Sequence, residues 1–446
     1  MERDMTVGSP ARILILFTIP MLLGNIFQQL YNVVDTIVVG NYVGASALAA
    51  VGASTSLVFL ILCLAVGLSM GCSVLVGQYY GAGQYDKMRQ AIYVSLLVVV
   101  ITGVLMTILC ITLAGPLLNL IKTPEEIFAD AKLYFVIYSI GSTCTFVYNT
   151  LAALCRAIGD SKTPLYFLVV ASVVNIVLDL FFVLKCDMGV AGVAYATIIA
   201  QFIASVSCAV FVYKKVDVLR IHKGDCVFDF GMFKDLILYA IPSTIQQSIV
   251  SFSQVAVQGL VNTFGTFTIA GYTAACKIDQ FATQPLLSLG MAITSYTAQN
   301  IGAKKIDRIH KGYKVSLIMV VAMCAVIFVA VRIWGADLIG LFVDETTASE
   351  VIAVGVSYME VVSIFYVLMG FMFCSQNILR GAGDMLWYTV GTLVNFVVRV
   401  AMAYVLAPSM GFVGLAYSIP MGWLIGGLCS FIRYKQGGWR YVSVVE

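Results

Sequence analysis

From residue 13 onward the chain reads as apolar runs of about twenty residues or more, separated by short clusters of glycine, proline and charge. About twenty apolar residues in a helix cross a hydrocarbon core of ~30 Å, so each run predicts a transmembrane helix. Twelve are expected, near 13–40, 48–77, 91–120, 132–155, 163–184, 190–213, 235–261, 267–298, 313–342, 350–379, 386–406 and 412–434. Several exceed what a bilayer needs, which predicts tilt or extension beyond it. The short alternating segments of a transmembrane barrel are absent. The expected fold class is therefore an all-α polytopic membrane protein.

The same pattern repeats along the chain. FTIPMLLGNIFQQLYNVVDTIVVGNYVG at 17–44 aligns with YAIPSTIQQSIVSFSQVAVQGLVNTFG at 239–265, and GQYYGAG at 77–83 with AQNIGAK at 298–304. CRAIGDSKTP at 155–164 aligns with LRGAGDML at 379–386, VVNIVLD at 173–179 with LVNFVVR at 393–399, and GVAGVAYA at 189–196 with GFVGLAYS at 411–418. The order is kept throughout, so six spans are duplicated, and an even number of crossings makes the repeat parallel. The expected organisation is a six-helix bundle over 1–213, a cytoplasmic linker over 214–234 and a second bundle over 235–446. Paired bundles of this kind are common in secondary transporters, which place the substrate site at the repeat interface.

Composition agrees and charge adds orientation. The chain is 61% hydrophobic and 11% charged, where a soluble domain carries roughly 25% charged residues. With both termini inside, 20 of the 26 lysines and arginines fall in cytoplasmic segments, the asymmetry expected of inward-facing loops. The polar start MERDMTVGSPAR leads into an apolar stretch too long for a signal-peptide core, so no cleaved leader is expected. The twelve cysteines are scattered singly, with no metal-ligand spacing, and read as small buried hydrophobes. The only histidines, His222 and His310, lie in basic cytoplasmic segments. No constellation for enzyme catalysis is present.

Charges inside the spans carry the candidate chemistry, since an ionised side chain at the bilayer centre costs about 2.5–3.5 kcal/mol on insertion scales. Asp35 and Asp179 each lie about five residues from the outer ends of spans one and five, at one depth, with no basic residue inside spans one to six. Asn175 is one turn below Asp179 on the same face, and Gln28, Tyr31, Asn32 and Asp35 form a polar stripe on span one. Two converging carboxylates in a poorly hydrated place call for a shared proton or a bound cation. Helix capping near the headgroups is the structural alternative.

The second half differs. Its copy of Asp35 falls at Ala256 or Val257, and its copy of Asp179 is Arg399. Lys277, Asp279, Glu360 and Arg399 lie at similar depth and are expected to form a charged network, either structural or substrate-binding. Lys277 and Asp279, two residues apart, must face nearly opposite ways. Tyr134, Tyr138, Thr145 and Asn149 trace one face of span four, suited to flat organic cations or to ordinary packing. Gln247, Ser251, Gln254 and Gln258 stripe span seven. Pro20 and Pro242 sit at matching points of spans one and seven as candidate hinges.

These motifs together resemble the multidrug and toxic compound extrusion (MATE) family: the early IP…QQLYNVVDTIVVG, the GQYYGAG turn, the RAIGDSKTP loop, NIVLD and their second-half echoes. The resemblance implies two six-helix lobes forming a V. It implies an antiporter that exports cationic or amphipathic drugs and metabolites in exchange for H⁺ or Na⁺. In the branch whose coupling acids sit in the N-terminal lobe, the coupling ion would be held by Asp35, Asn175, Asp179 and Thr197, including Na⁺ if that is the ion. Gln28, Tyr31, Tyr138, Asn149 and Gln254 are expected to line the substrate cavity, with Pro20 as the bending point. The chain departs from the other branch in lacking a span-seven acid; around position 247 stand glutamine and serine. The loop after Gly383-Asp384 also lacks the Thr-Pro that follows Gly159-Asp160. A monomer in a prokaryotic cytoplasmic membrane is expected. It would need no cofactor beyond the coupling ion and would engage organic cations and lipid but no nucleic acid. The rival within transport is a flippase for lipid-linked precursors, for which only Lys277 and Arg399 could supply cavity cations.

Overall fold

The computed structural model describes residues 3–341 and 348–445. Nearly all of them are helical, and none of the described residues lies in a strand. Helix α1 (Pro10–Val38) runs through Pro20 without a break and ends in a π-helical turn, Val39–Val43. It is followed by α2 (Ala45–Gly81), α3 (Tyr85–Leu120), α4 (Glu125–Ile140), α5 (Ser142–Ala157), α6 (Lys162–Leu184) and α7 (Gly189–Lys215). The second half holds α8 (Phe230–Val261), α9 (Thr266–Gly302), α10 (Ile306–Gly340), α11 (Ala348–Ile364), α12 (Tyr366–Ala382) and α13 (Met385–Gln436).

The expected spans map onto these helices with three local differences. Span four is broken at Gly141, where a Cβ would stand 2.5 Å from the Ile198 side chain, so the helices approach too closely for any larger residue. Span ten is two helices, α11 and α12, bent by 49°. Spans eleven and twelve are joined in α13, which kinks at Gly411 (φ 60°, ψ −145°). Taking α4–α5 and α11–α12 as broken spans and α13 as two gives twelve crossings. Seven of the described helices pass as spans on length and hydropathy alone, and the α11–α12 pair makes an eighth. Of the others, α4 and α5 are 16 residues each and too short by themselves, and α9 carries polar residues that the fold buries, among them Thr283, Gln284, Ser288, Thr294, Ser295, Thr297, Gln299 and Asn300. Conversely, α3 exposes Ile101, Val104, Leu105 and Ile108 along one face, as a lipid-facing helix must.

Contacts divide the chain into two compact units, Met1–Asp4 with Leu23–Thr244, and Met5–Leu22 with Ile245–Glu446. The division falls inside α1 and inside α8. In the first unit α2 packs on α3, α4 and α5, and α6 packs on α7. Close approach of α2 to α8 depends on Gly67 and Gly71: added Cβ atoms would stand 2.7 Å from the Thr244 Cα and 2.9 Å from the Ala240 nitrogen. In the second unit α9 packs on α10, α11 and α12, and α12 on α13, repeating the first unit's plan. The repeated Gly-Asp motifs are structural. Asp160 Oδ1 accepts the backbone N–H groups of Lys162 and Thr163, each at 3.0 Å, capping the start of α6. Its copy Asp384 pairs with Arg433 Nε at 2.7 Å.

Candidate functional site

The site lies within the first unit and is built from α1, α4, α6 and α7. On α1, steps of three and four residues put Gln28, Tyr31 and Asp35 on one face. The π turn begins four residues after Asp35, so the acid sits one turn from a break in helical register. On α6, Asp179 is fully buried and Asn175 is buried one turn away; Thr197 of α7 is buried beside them. Asp160 anchors the start of the helix that carries both residues.

The Asn175 amide ties the set together. With its nitrogen turned toward the acid, Nδ2 donates to Asp179 Oδ2 at 2.9 Å and Oδ1 accepts from the Thr197 backbone N–H at 3.2 Å. This orientation is assigned because the reverse sets the amide oxygen against acceptors only. The Thr197 hydroxyl donates to the Val193 carbonyl at 3.0 Å, and the Tyr31 hydroxyl reaches the Thr197 side chain. The Asp35 and Asp179 carboxyl groups face each other within hydrogen-bonding reach. Oδ1 of each acid is nevertheless buried without a hydrogen-bond partner. Among the described residues no lysine or arginine pairs with either.

Two unit charges about 4 Å apart repel by roughly 4 kcal/mol at an effective dielectric near 20. An arrangement of this kind is completed by one proton or one small cation between the carboxyls. Oxygens from Asp35, Asp179 and Thr197 offer the hard ligands that an alkali cation takes, while the Asn175 amide holds Asp179 in place. Next to them is a small cleft with about 10 Å³ of room for the centre of a water molecule, lined by Gln28, Tyr31, Ser172, Asn175, Thr197 and Gln201. That is space for about one water, which suits an ion or its water and not an organic molecule. Tyr134 and Tyr138 stack with ring centroids 6.3 Å apart, and Tyr134 lies within electrostatic range of both acids.

Of the residues expected at the site, the structure gathers Gln28, Tyr31, Asp35, Asn175, Asp179, Thr197 and Tyr138. Asn149 instead donates to the Thr145 carbonyl of its own helix at 2.8 Å. Gln254 is exposed, and both it and Pro20 belong to the second unit. Ser172 and Gln201 were not anticipated, although each lies one turn from an anticipated residue, three before Asn175 and four after Thr197. The Gln201 side-chain oxygen is buried without a partner.

The charged network expected in the second half is smaller than its sequence suggests. Glu360 is exposed and pairs with Arg332, which an adjacent helix brings to the same face. Lys277 is also exposed, while Asp279, on the other side of α9, turns inward. Asp279 Oδ1 accepts the Tyr366 hydroxyl, and Arg399 lies within electrostatic range of that carboxylate. Asp279 and Arg399 therefore share an environment from which Glu360 is turned away.

Comparison with known proteins places this architecture. The MatE family profile matches residues 20–181 and 242–405, one copy in each half. "Probable multidrug resistance protein YpnP" of Bacillus subtilis (strain 168) is 32% identical over 99% of this chain and 98% of its own. "Probable multidrug resistance protein YoeA" of the same organism is 27% identical over 97% and 94%. In fold, the chain superimposes on a MATE protein solved in complex with MaL6 with a TM-score of 0.93, at 24% identity and 98% coverage of both chains. The duplicated helical bundles, the buried acid pair and these matches agree: the chain belongs to the MATE family of multi-pass membrane transporters.

Proposed function

We propose that this chain is a secondary active antiporter that exports cationic or amphipathic organic compounds in exchange for H⁺ or Na⁺. The observation that carries the reading is the facing pair Asp35 and Asp179, buried among polar groups with an unpartnered oxygen on each acid and, among the described residues, no lysine or arginine paired with either. The coupling ion binds there, with Asn175 holding Asp179 and Thr197 completing the oxygen set. Pro20, within α1, is the point at which that helix bends as the ion comes and goes. The names of the relatives, multidrug resistance proteins, support organic substrates. The distribution of lysine and arginine supports cytoplasmic termini.

The energetic logic is competition. An ion on the acid pair removes the negative charge that an organic cation would seek, so entry of one favours departure of the other. The test is uptake of a fluorescent organic cation into proteoliposomes, driven separately by a pH gradient and by a Na⁺ gradient. Accumulation under one of the gradients, abolished by Asp179→Asn in protein that still folds, is expected. Accumulation that needs neither gradient would sink the antiport reading.

A further inference from the structure

The stretch between α7 and α8 is held in place and yet leaves apolar side chains bare. Within it Val216, Leu219 and Met232 are buried. Arg89 of α3 donates to Asp225 Oδ2 at 3.0 Å, and Gln90 of α3 donates to the Val227 carbonyl at 3.3 Å. Short turns at Asp217–Leu219 and Lys223–Asp225 give the stretch its course. In contrast, Val227, Phe228 and Phe230 are 57%, 47% and 71% exposed. The rings of Phe228 and Phe230 each meet Phe233 at 5.8 Å, so the bare surface is one cluster. Tyr213, near the end of α7, is exposed as well.

The acids here are satisfied within the fold, whereas the lysines are not. Asp217 pairs with Arg220 at 2.9 Å, and Asp225 pairs with Arg89. Asp229 Oδ1 accepts the Met232 N–H at 2.9 Å, capping the start of α8. Arg220 also donates through Nε to the Tyr213 carbonyl at 2.9 Å. Lys214, Lys215, Lys223 and Lys234 are all exposed, and none of them forms an ion pair among the described residues. The lysine bias of inward-facing loops accounts for cations in this place. It does not account for bare phenylalanines beside them. Free lysines next to exposed rings, where two apolar spans end, supply two attractions that hold a segment on a bilayer surface. Apolar side chains enter the headgroup layer, and cations are drawn to anionic lipid.

We propose that residues 213–234 form an interfacial anchor that binds anionic phospholipid headgroups of the leaflet beside the ends of α7 and α8. Val227, Phe228 and Phe230 enter the boundary between headgroups and acyl chains, and the four lysines gather phosphate-bearing headgroups around them. A zwitterionic lipid accepts the rings but offers the lysines no net charge. A second copy of the chain would bring the same four lysines, so like charges oppose self-association through this patch. The proposal names a lipid partner and does not rest on the antiport reading.

The test uses the full-length protein, one copy per nanodisc, in discs of one-fifth phosphatidylglycerol and four-fifths phosphatidylcholine. Phe230→Trp places a fluorophore in the cluster, with Phe228→Trp as a second reporter and the wild type with its own four tryptophans as baseline. A quencher lipid with a dibrominated acyl chain is supplied either as phosphatidylglycerol or as an equal amount of phosphatidylcholine. The expected result is that both quench the new fluorophore, that aqueous iodide barely does, and that brominated phosphatidylglycerol quenches as though its local share were roughly twofold or more above the bulk. Combining Lys214→Gln, Lys215→Gln, Lys223→Gln and Lys234→Gln, or adding salt to about 0.5 M, should bring the two lipids level while quenching by phosphatidylcholine persists. Quenching by iodide and not by brominated lipid would overturn the proposal, because the cluster would then lie in water. Equal quenching by the two brominated lipids without those substitutions would also overturn it, leaving apolar contact without headgroup recognition. No gradient and no substrate is present, so either failure leaves the antiport reading to its own experiment.

Discussion

Replacing Asp179 by asparagine should stabilise the protein while removing its response to the coupling ion. In the ion-free state the facing carboxyls carry a repulsion of up to roughly 4 kcal/mol when both are charged, taking a separation of about 4 Å and an effective dielectric near 20. The Asp179→Asn substitution removes that repulsion and keeps an oxygen to accept from Asn175 Nδ2, which in the native protein lies 2.9 Å from Asp179 Oδ2. Even complete loss of that hydrogen bond, about 1 kcal/mol, would be smaller than the repulsion removed. In the wild type, an ion at about 100 times its dissociation constant adds about 2.7 kcal/mol. Thermal unfolding in nanodiscs, followed by tryptophan fluorescence across pH and Na⁺ concentration, separates the two effects. The variant should melt higher than wild type in the ion-free condition and should be flat to the ion that stabilises wild type. A variant that melts lower under every condition and responds to the same ion as wild type would refute the reasoning, because Asp179 would then be a structural acceptor.

Other consequences can be checked one by one. Gly67→Val places methyl groups where the α8 backbone already stands, with the first added carbon 2.7 Å from the Thr244 Cα; overpacking of this kind costs about 1–3 kcal/mol and should appear as a lower melting temperature with reduced membrane yield. Lys304 holds a left-handed φ of 55° at the turn after α9, where the matching turn after α2 has Gly83 at φ 70°. Lys304→Gly should therefore raise stability, by up to about 1–2 kcal/mol, measured by thermal unfolding. Asp225, in the segment between α7 and α8, is partly lifted by desolvation, but the His222 backbone and Arg89 hold its carboxyl below the ordinary value. A depressed carboxyl stabilises above its unfolded value near 3.9 and loses that contribution as pH falls through the folded value. Asp225→Asn should thus cost a fraction of about 1 kcal/mol at neutral pH and nothing at a pH below both values.

Much of the fold is legible in the chain because a bilayer imposes a length and a hydropathy on every crossing. The runs at 91–120 and 163–184 coincide closely with α3 and α6. The break at Gly141 is not legible, since it follows from the approach of Ile198 on a helix more than fifty residues away. The bend between α11 and α12 has no proline to announce it. At the site, Asp35, Asn175 and Asp179 could be read because helical spacing put them on single faces and hydrocarbon makes an unpaired acid conspicuous. Glu360 was harder to place, because its depth matched Asp279 while its direction depended on where α10 sets Arg332. Gln201 escaped for a related reason: an amide one turn beyond Thr197 looks like ordinary helix until the neighbouring face of α1 is known.

Ion release on substrate addition tests the coupling role of the acid pair most directly. Tetraphenylphosphonium would be added to weakly buffered protein in nanodiscs, with released H⁺ followed by a pH dye and released Na⁺ by a sodium electrode. Stoichiometric release of one of these ions from the wild type, and none from Asp35→Asn that still binds the cation, is the expected result. Equal release from the wild type and the variant would contradict it, because the exchanged ion would then sit somewhere other than between Asp35 and Asp179.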